Sequence, residues 1–217
     1  MNKLEFEQTV LLFDLDNTLY LPSAGILDQI GQRMKRYVAN SLNLSFEQAT
    51  ELCFGYYHRY GGTLRGLQQH HPEVDLDDFS VYAHNVDTSL LHPQPQLATA
   101  LNGLQNRKYI FTNSALPYAK RLLEKMELQN CFDGIFSVED TDFKMKPDAI
   151  AYERICRKFD VDPNKAMMFD DQPANLETAA SMGMKTVLVN RSDITAPTTT
   201  YATSELTQFL IGLKSAS

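Results

Sequence analysis

Asp14 and Asp16 close one apolar run, LLFDLD, and a second acid pair, Asp170 and Asp171, closes another, MMFDD. Ionised carboxylates are not left buried without a partner, because taking charge out of water is costly. Residues two apart on a strand share a face. Asp14 and Asp16 therefore either look into a cavity beyond the strand or are held by something positive. IFTNS adds the hydroxyl of Thr112 and the amide of Asn113, and DFKMKPDA adds the cations Lys144 and Lys146. If these segments meet on one rim, the acid pairs repel one another unless a cation lies between them. A ligand set of oxygens without His or Cys points to a hard ion, Mg2+.

The elements that must bring these residues together are legible in the second half of the chain. KYIFT (108–112), GIFSV (134–138), KAMMFD (165–170) and KTVLVN (185–190) read as short strands following a first that ends at Asp14. PYAKRLLEKMEL (117–128), PDAIAYERICRKF (147–159) and PANLETAASMG (173–183) read as helices, each opened by a proline in its first turn. Such alternation predicts an α/β fold with a parallel, Rossmann-like sheet covered on both faces. Ligands of open α/β sheets bind beyond the C-terminal ends of the strands, where the acids fall. The Thr-rich stretch 193–204 reads as a loop before a last short helix.

The first strand breaks the rhythm. Asp14 and Thr112 are 98 residues apart, whereas a βαβ unit takes about 30. PQLATALNGLQ (95–105) supplies the crossover helix. The surplus before it carries apolar residues at three- and four-residue spacing over 26–42, 45–61 and 75–86. The expected organisation is thus a core of residues 1–20 and 93–217, interrupted by an all-helical cap of residues 21–92.

Bulk properties exclude other classes. The chain of 217 residues is 43% apolar and 22% charged, with a net charge of −7. That balance speaks against a nucleic-acid polymer or an anionic membrane as partner. No apolar run approaches the ~18 residues that span a bilayer. Glu5, Glu7 and Asp14 interrupt any early signal region after Lys3, so the expected location is cytoplasmic. Cys53, Cys131 and Cys156 are widely spaced without a CxxC pair, so neither a disulfide framework nor a zinc site is expected.

In order, DLDNT, FTN, a Lys before Pro, and FDD ahead of a helix resemble the motif series of the haloacid dehalogenase-like (HAD) phosphatase superfamily. The resemblance implies that Asp14 is a nucleophile forming an aspartyl-phosphate. Asp16 would be general acid toward the leaving alcohol and then general base toward water. Thr112 and Asn113 would donate to phosphoryl oxygens, and Lys146, the lysine before Pro147, would neutralise nucleophile and phosphate together. Asp14, the backbone carbonyl of Asp16, and Asp171 would hold Mg2+, with Asp170 supporting the metal directly or through water. Lys144 reads as a solvated loop charge or a rim contact, and Asp170 has a second reading, as a cap on the helix at Pro173. A dehalogenase of this superfamily needs neither a proton donor nor a metal, so the second acid argues for phosphoryl chemistry.

The insertion also resembles the pyrimidine 5′-nucleotidase subgroup, through Tyr20 after the first motif and the run Tyr56, Tyr57, Tyr60, Gly61, Thr63, Leu64, Gly66, Leu67. The implied substrate is a small phosphomonoester, a nucleoside monophosphate such as UMP or CMP, handled by a monomer or weak homodimer. Tyr57, Arg59 and Tyr60 are the candidate substrate residues of the cap, offering stacking faces and donors. Against this, Tyr56 and Tyr60 share a helix face and read equally as cap core. Arg59, Arg65 and His58 read as solvated, Gly61–Gly62 as a helix end, and His70 and His71 as surface loop. A phosphatase for a sugar phosphate or phosphoglycolate, a phosphomutase, and a non-catalytic binding protein are the alternatives.

Overall fold

The computed structural model describes residues 6–189 and 198–216. Six parallel strands form one sheet: β1 (Val10–Phe13), β2 (Lys108–Phe111), β3 (Gly134–Phe136), β4 (Ala166–Asp170), β5 (Lys185–Val189) and β6 (Tyr201–Thr203). Their spatial order is β3-β2-β1-β4-β5-β6, with β1 at the centre and β2 and β4 on either side. Every residue of β1, β2 and β4 is buried, which is why these runs, apart from Lys108 at the start of β2 and Asp170 at the end of β4, are continuously apolar rather than alternating.

Side-chain alternation divides the core into two layers. Leu11 and Phe13 pack with α5 (Pro95–Asn102), α6 (Leu116–Lys125) and α9 (Leu206–Ala216), through Leu101, Leu122 and Leu210. Val10 and Leu12 pack with α7 (Ala149–Phe159) and α8 (Pro173–Ser181), through Tyr152, Ile155 and Leu176. Each such buried side chain contributes about 1.5–3 kcal/mol, so the layered core dominates the stability of the sheet.

Between β1 and α5 lie α1 (Ile26–Ser41), α2 (Phe46–Tyr60), α3 (Thr63–His70) and α4 (Leu76–His84). They close around their own apolar cluster of Val38, Cys53, Leu64, Leu67 and Phe79. Ser45 and Gln48 form a capping box on α2, and Asp75 accepts from Asp77 and Asp78 N–H to cap α4. Gly66 is where α2 and α3 meet: a Cβ there would lie 2.1 Å from Cγ of Tyr56. The helices are also anchored to the sheet layer, since Ile26, Ile30 and Ala83 join the first core cluster.

The structure departs from sequence expectation at three places. The stretch read as a loop over 193–204 contributes strand β6 at Tyr201–Thr203, beside β5; residues 193–197 and Asn190 lie outside the described residues. It is an edge strand with two exposed residues, so it lacks the apolar run that marks the others. The last helix, α9, runs eleven residues and is not short. His70 ends helix α3 rather than lying in a loop, and α3 was hidden because its start at Gly62–Thr63 carries no side-chain cap. Among the described residues, no helix is long and apolar enough to cross a membrane.

Candidate active site

The central strands deliver the acids. β1 ends at Phe13, and Asp14 continues the ladder by donating its N–H to the Phe169 carbonyl at 2.8 Å. β4 ends in Asp170, so the two acidic strand ends are side by side. Asp14, Asp170 and Asp171 each present an oxygen within 4.8 Å of the others, and all three residues are buried.

Lys146 reaches this cluster from the loop after β3. Its Nζ donates to Asp14 Oδ1 and to Asp170 Oδ2, both at 2.8 Å, and the residue is 2% exposed. Burial alone would lower the lysine pKa, but the Asp14 and Asp170 charges outweigh it and hold the ammonium above its ordinary value. Burial raises the Asp14 carboxyl well above the usual carboxylate range, opposed by Lys146 and reinforced by Asp170 and Asp16. Asn113 locks the lysine's backbone, accepting from Lys146 N at 2.8 Å and donating to its carbonyl at 3.0 Å. The side-chain amide expected to meet phosphate is therefore engaged with the lysine. Thr112 is buried and its Oγ1 accepts from Ser114 N–H at 3.0 Å, which leaves its own proton to donate elsewhere. Lys144 makes no ion pair with the acids.

Asp170 spends its oxygens within the protein. Besides Lys146, it accepts from Gln172 N–H at 2.8 Å and from Asn175 Nδ2 at 3.0 Å, at the entry to α8. These bonds tether the start of α8 without capping it, because no side chain accepts from the first-turn N–H groups of that helix. Asp171 accepts from Gln172 Nε2 at 2.6 Å.

Asp16 lies apart from that cluster, in a cage of hydroxyls. Tyr20 and Tyr118 each donate to Oδ1 at 2.6 Å, and Ser114 donates to Oδ2 at 2.7 Å. Burial, and then the Asp16 charge, raises both phenols above their ordinary pKa, so they remain donors. Thr18 Oγ1 donates to Asp14 Oδ2 at 3.1 Å. Thr18, Ser114, Tyr118 and Asn175 were not singled out from the sequence, and Tyr20 only as a family marker. Ser114 and Tyr118 lie just after FTN, but no spacing rule ties them to an acid about a hundred positions earlier.

Asp14, Asp16, Asn113, Ser114, Lys146 and Asp171 line a cavity of about 510 Å3 between the strand ends and the inserted helices. Leu27, Ile30, Met34 and Phe79 make its far wall apolar, and Ser80, Thr63 and His84 add polar atoms. Tyr57 lines it, with His58 beside it, while Arg59 and Tyr60 do not. Arg59 lies over the Tyr60 ring, and the Tyr60 hydroxyl meets His70 Nε2 at 2.5 Å on the outer surface of the insertion. Arg65, read as solvated, instead pairs with Asp148 at 2.8 Å and ties α3 to the start of α7. A second cavity, about 500 Å3, lies where the two connections to the insertion meet α9. It contains none of the clustered acids and is not the candidate site.

The donor set suits a divalent cation. Four buried carboxylates, Asp14, Asp16, Asp170 and Asp171, lie near the buried ammonium of Lys146. A ligand set made of oxygens, without His or Cys, favours a hard ion over a transition metal.

The sequence model of the haloacid dehalogenase-like hydrolases matches residues 9–183. Phosphate metabolism protein 8 of Saccharomyces cerevisiae is 28% identical over 197 residues, covering 82% of this chain and 60% of the yeast protein. The chain thus spans about three-fifths of that relative's length. A HAD phosphatase from Thermococcus onnurineus superposes with a TM-score of 0.63 at 19% identity, covering 94% of this chain and 97% of that one. The YfnB protein of Bacillus subtilis, in a magnesium-bound crystal form, gives 0.60 at 18%, over 94% and 98%. L-2-haloacid dehalogenase from Xanthobacter autotrophicus gives 0.58 at 17%, over 96% and 99%. At these identities the structural likeness speaks to fold.

Proposed function

Since the chain belongs to the haloacid dehalogenase-like hydrolases, we propose that it is a Mg2+-dependent phosphomonoester hydrolase working through an aspartyl-phosphate. The observation that carries this reading is the coexistence of two differently held acids two residues apart. Asp14 is pinned by Lys146 at 2.8 Å and Thr18 at 3.1 Å, whereas Asp16 is held separately by hydroxyls. One is suited to attack and the other to move protons; displacement of a halide would need only the first.

In this reading Asp14 attacks phosphorus, and Lys146 offsets the repulsion between the carboxylate and the phosphate dianion. Thr112 donates to a phosphoryl oxygen. Asn113 holds Lys146 in place through its backbone. Asp16 gives a proton to the departing alkoxide and then takes one from the water that cleaves the aspartyl-phosphate. Asp14, Asp171 and the carbonyl of Asp16 would hold Mg2+, with Asp170 behind them. Bound there, the ion supplies positive charge to the phosphoryl oxygens as their charge grows.

The helical insertion, residues 21–92, acts as a cap that shields the reaction from bulk water. Its apolar wall and the Tyr57 ring offer a place for a planar base, and the resemblance of the insertion to the pyrimidine 5′-nucleotidases makes a pyrimidine nucleoside 5′-monophosphate the proposed substrate. The resemblance of the yeast phosphate metabolism protein supports phosphate chemistry without naming an ester. The test is phosphate release from a panel of nucleoside monophosphates, sugar phosphates and phosphoglycolate, with EDTA and then with excess Mg2+. UMP and CMP are expected to lead the panel, and EDTA to silence it reversibly. Isomerisation of a sugar phosphate without phosphate release would establish a mutase instead, and hydrolysis unaffected by EDTA would refute the metal.

A further inference from the structure

Asp16 is needed in both proton transfers, yet a short acid at a strand end has several staggered rotamers open to it. An unheld carboxylate would turn toward the ammonium of Lys146, which already pairs with Asp14 and Asp170, and that is the wrong direction for a proton donor. Three hydroxyls from separate parts of the chain prevent that. Tyr118 comes from α6, Ser114 from the turn after β2, and Tyr20 from the connection into the insertion. All three residues are buried.

Resting on the phosphatase reading, we propose that Tyr118, Tyr20 and Ser114 are positioning residues that aim Asp16 and select its Oδ2 as the oxygen that carries the proton. Each carboxylate oxygen has two lone pairs to offer. Oδ1 accepts from both phenols at 2.6 Å and is saturated. Oδ2 accepts from Ser114 at 2.7 Å, which leaves it a second acceptor site, and Asp16 lines the cavity. In the first step the Oδ2 proton passes to the ester oxygen as the bond from that oxygen to phosphorus breaks and the bond from Asp14 forms. In the second, Oδ2 takes a proton from water as the water oxygen joins phosphorus and the bond to Asp14 breaks.

The clamp is braced from the insertion. The His84 ring of α4 lies 4.7 Å from the Tyr118 ring, and Arg121 Nη2 donates to the His84 carbonyl at 2.6 Å. Tyr118 is thus held between the helix that carries it and the helix that covers the cavity.

The test compares Tyr118→Phe, Tyr20→Phe and Ser114→Ala with wild type on an alkyl ester, UMP, and an aryl ester, p-nitrophenyl phosphate. The nitrophenolate leaves without a proton, so only the alkyl ester needs the acid in the first step. For Tyr118→Phe, kcat/KM on UMP is expected to fall about 10- to 100-fold, while that on the aryl ester stays within about threefold. The second step needs Asp16 with either ester, so the aryl ester should show a burst of nitrophenolate ahead of slowed turnover. Added to Asp16→Asn, Tyr118→Phe should cost nothing further. Equal losses on both esters, no loss, or additivity with Asp16→Asn would overturn the clamp. If Tyr118→Phe does not fold, Tyr20→Phe and Ser114→Ala give the same readout. A wild type that releases phosphate from neither ester nor any other member of the substrate panel refutes the phosphatase reading and the clamp with it; an active wild type with uniformly impaired variants refutes the clamp alone.

Discussion

Replacing Lys146 with Met keeps an unbranched side chain and removes the buried ammonium that bridges Asp14 and Asp170. Nζ bridges Asp14 Oδ1 and Asp170 Oδ2 at 2.8 Å each, and the ion-paired side chains are 1%, 10% and 0% exposed. Loss of one partner from a buried ion pair typically costs about 3–5 kcal/mol, because the remaining charge stays buried and uncompensated. At about 2.1 cal/mol/K per residue, a chain of this length unfolds with an entropy near 0.46 kcal/mol/K, so the cost corresponds to a Tm lower by about 7–11 °C. The assay is a thermal melt in EDTA, repeated with excess Mg2+. The deficit should narrow with Mg2+, because a cation among Asp14, Asp170 and Asp171 offsets part of the exposed repulsion. Phosphate release should fall by about a thousandfold or more, since the variant loses its fixed charge opposite the phosphoryl group. A melt within about 2 °C of wild type in EDTA would mean that Lys146 does not balance these acids, and the charge accounting of the site would be wrong.

Asp14→Asn should abolish turnover and leave the melt in EDTA equal to or higher than that of wild type, because burial and neighbouring acids already disfavour its charge; retained hydrolysis would remove Asp14 as nucleophile. Gly66→Ala places a methyl against Tyr56, with the Cβ 2.1 Å from Cγ, and overpacking of this kind costs about 1–3 kcal/mol; a thermal melt reads it, and a neutral result would show that α2 and α3 can separate freely. Burial lowers the pKa of His84 below its ordinary value. The unfolded chain then binds the extra proton, so this stability is complete above the unfolded pKa of about 6.5 and is lost as pH falls toward the folded value. Denaturant midpoints taken from pH 7 down to 5 should therefore decline less steeply in His84→Gln, and parallel curves would assign the slope to other groups.

Much of the fold was legible because its signals are local. The strands β1, β2 and β4, and β5 beyond its half-buried Lys185, are runs of consecutive buried residues, and the helices between them open on Pro or a capping side chain, so periodicity and composition suffice to find them. α3 and β6 escaped for the converse reason. The first has no side-chain cap at its start, and the second is an exposed edge whose pairing with β5 is a property of the sheet.

The site divides along the same line. Residue type and order by themselves determined that Asp14, Lys146, Asp170 and Asp171 would gather at one edge, because parallel strands with short crossovers must place their C-terminal ends together. Only the tertiary structure decided that Asn113 is engaged with the Lys146 backbone, that Arg59 and Tyr60 turn away from the cavity, and that three hydroxyls surround Asp16. Those outcomes depend on which side chains meet within a hydrogen bond's length, and Asp16 and Tyr118 are 102 positions apart. Sequence spacing carries no record of such distances; packing of the layers creates them.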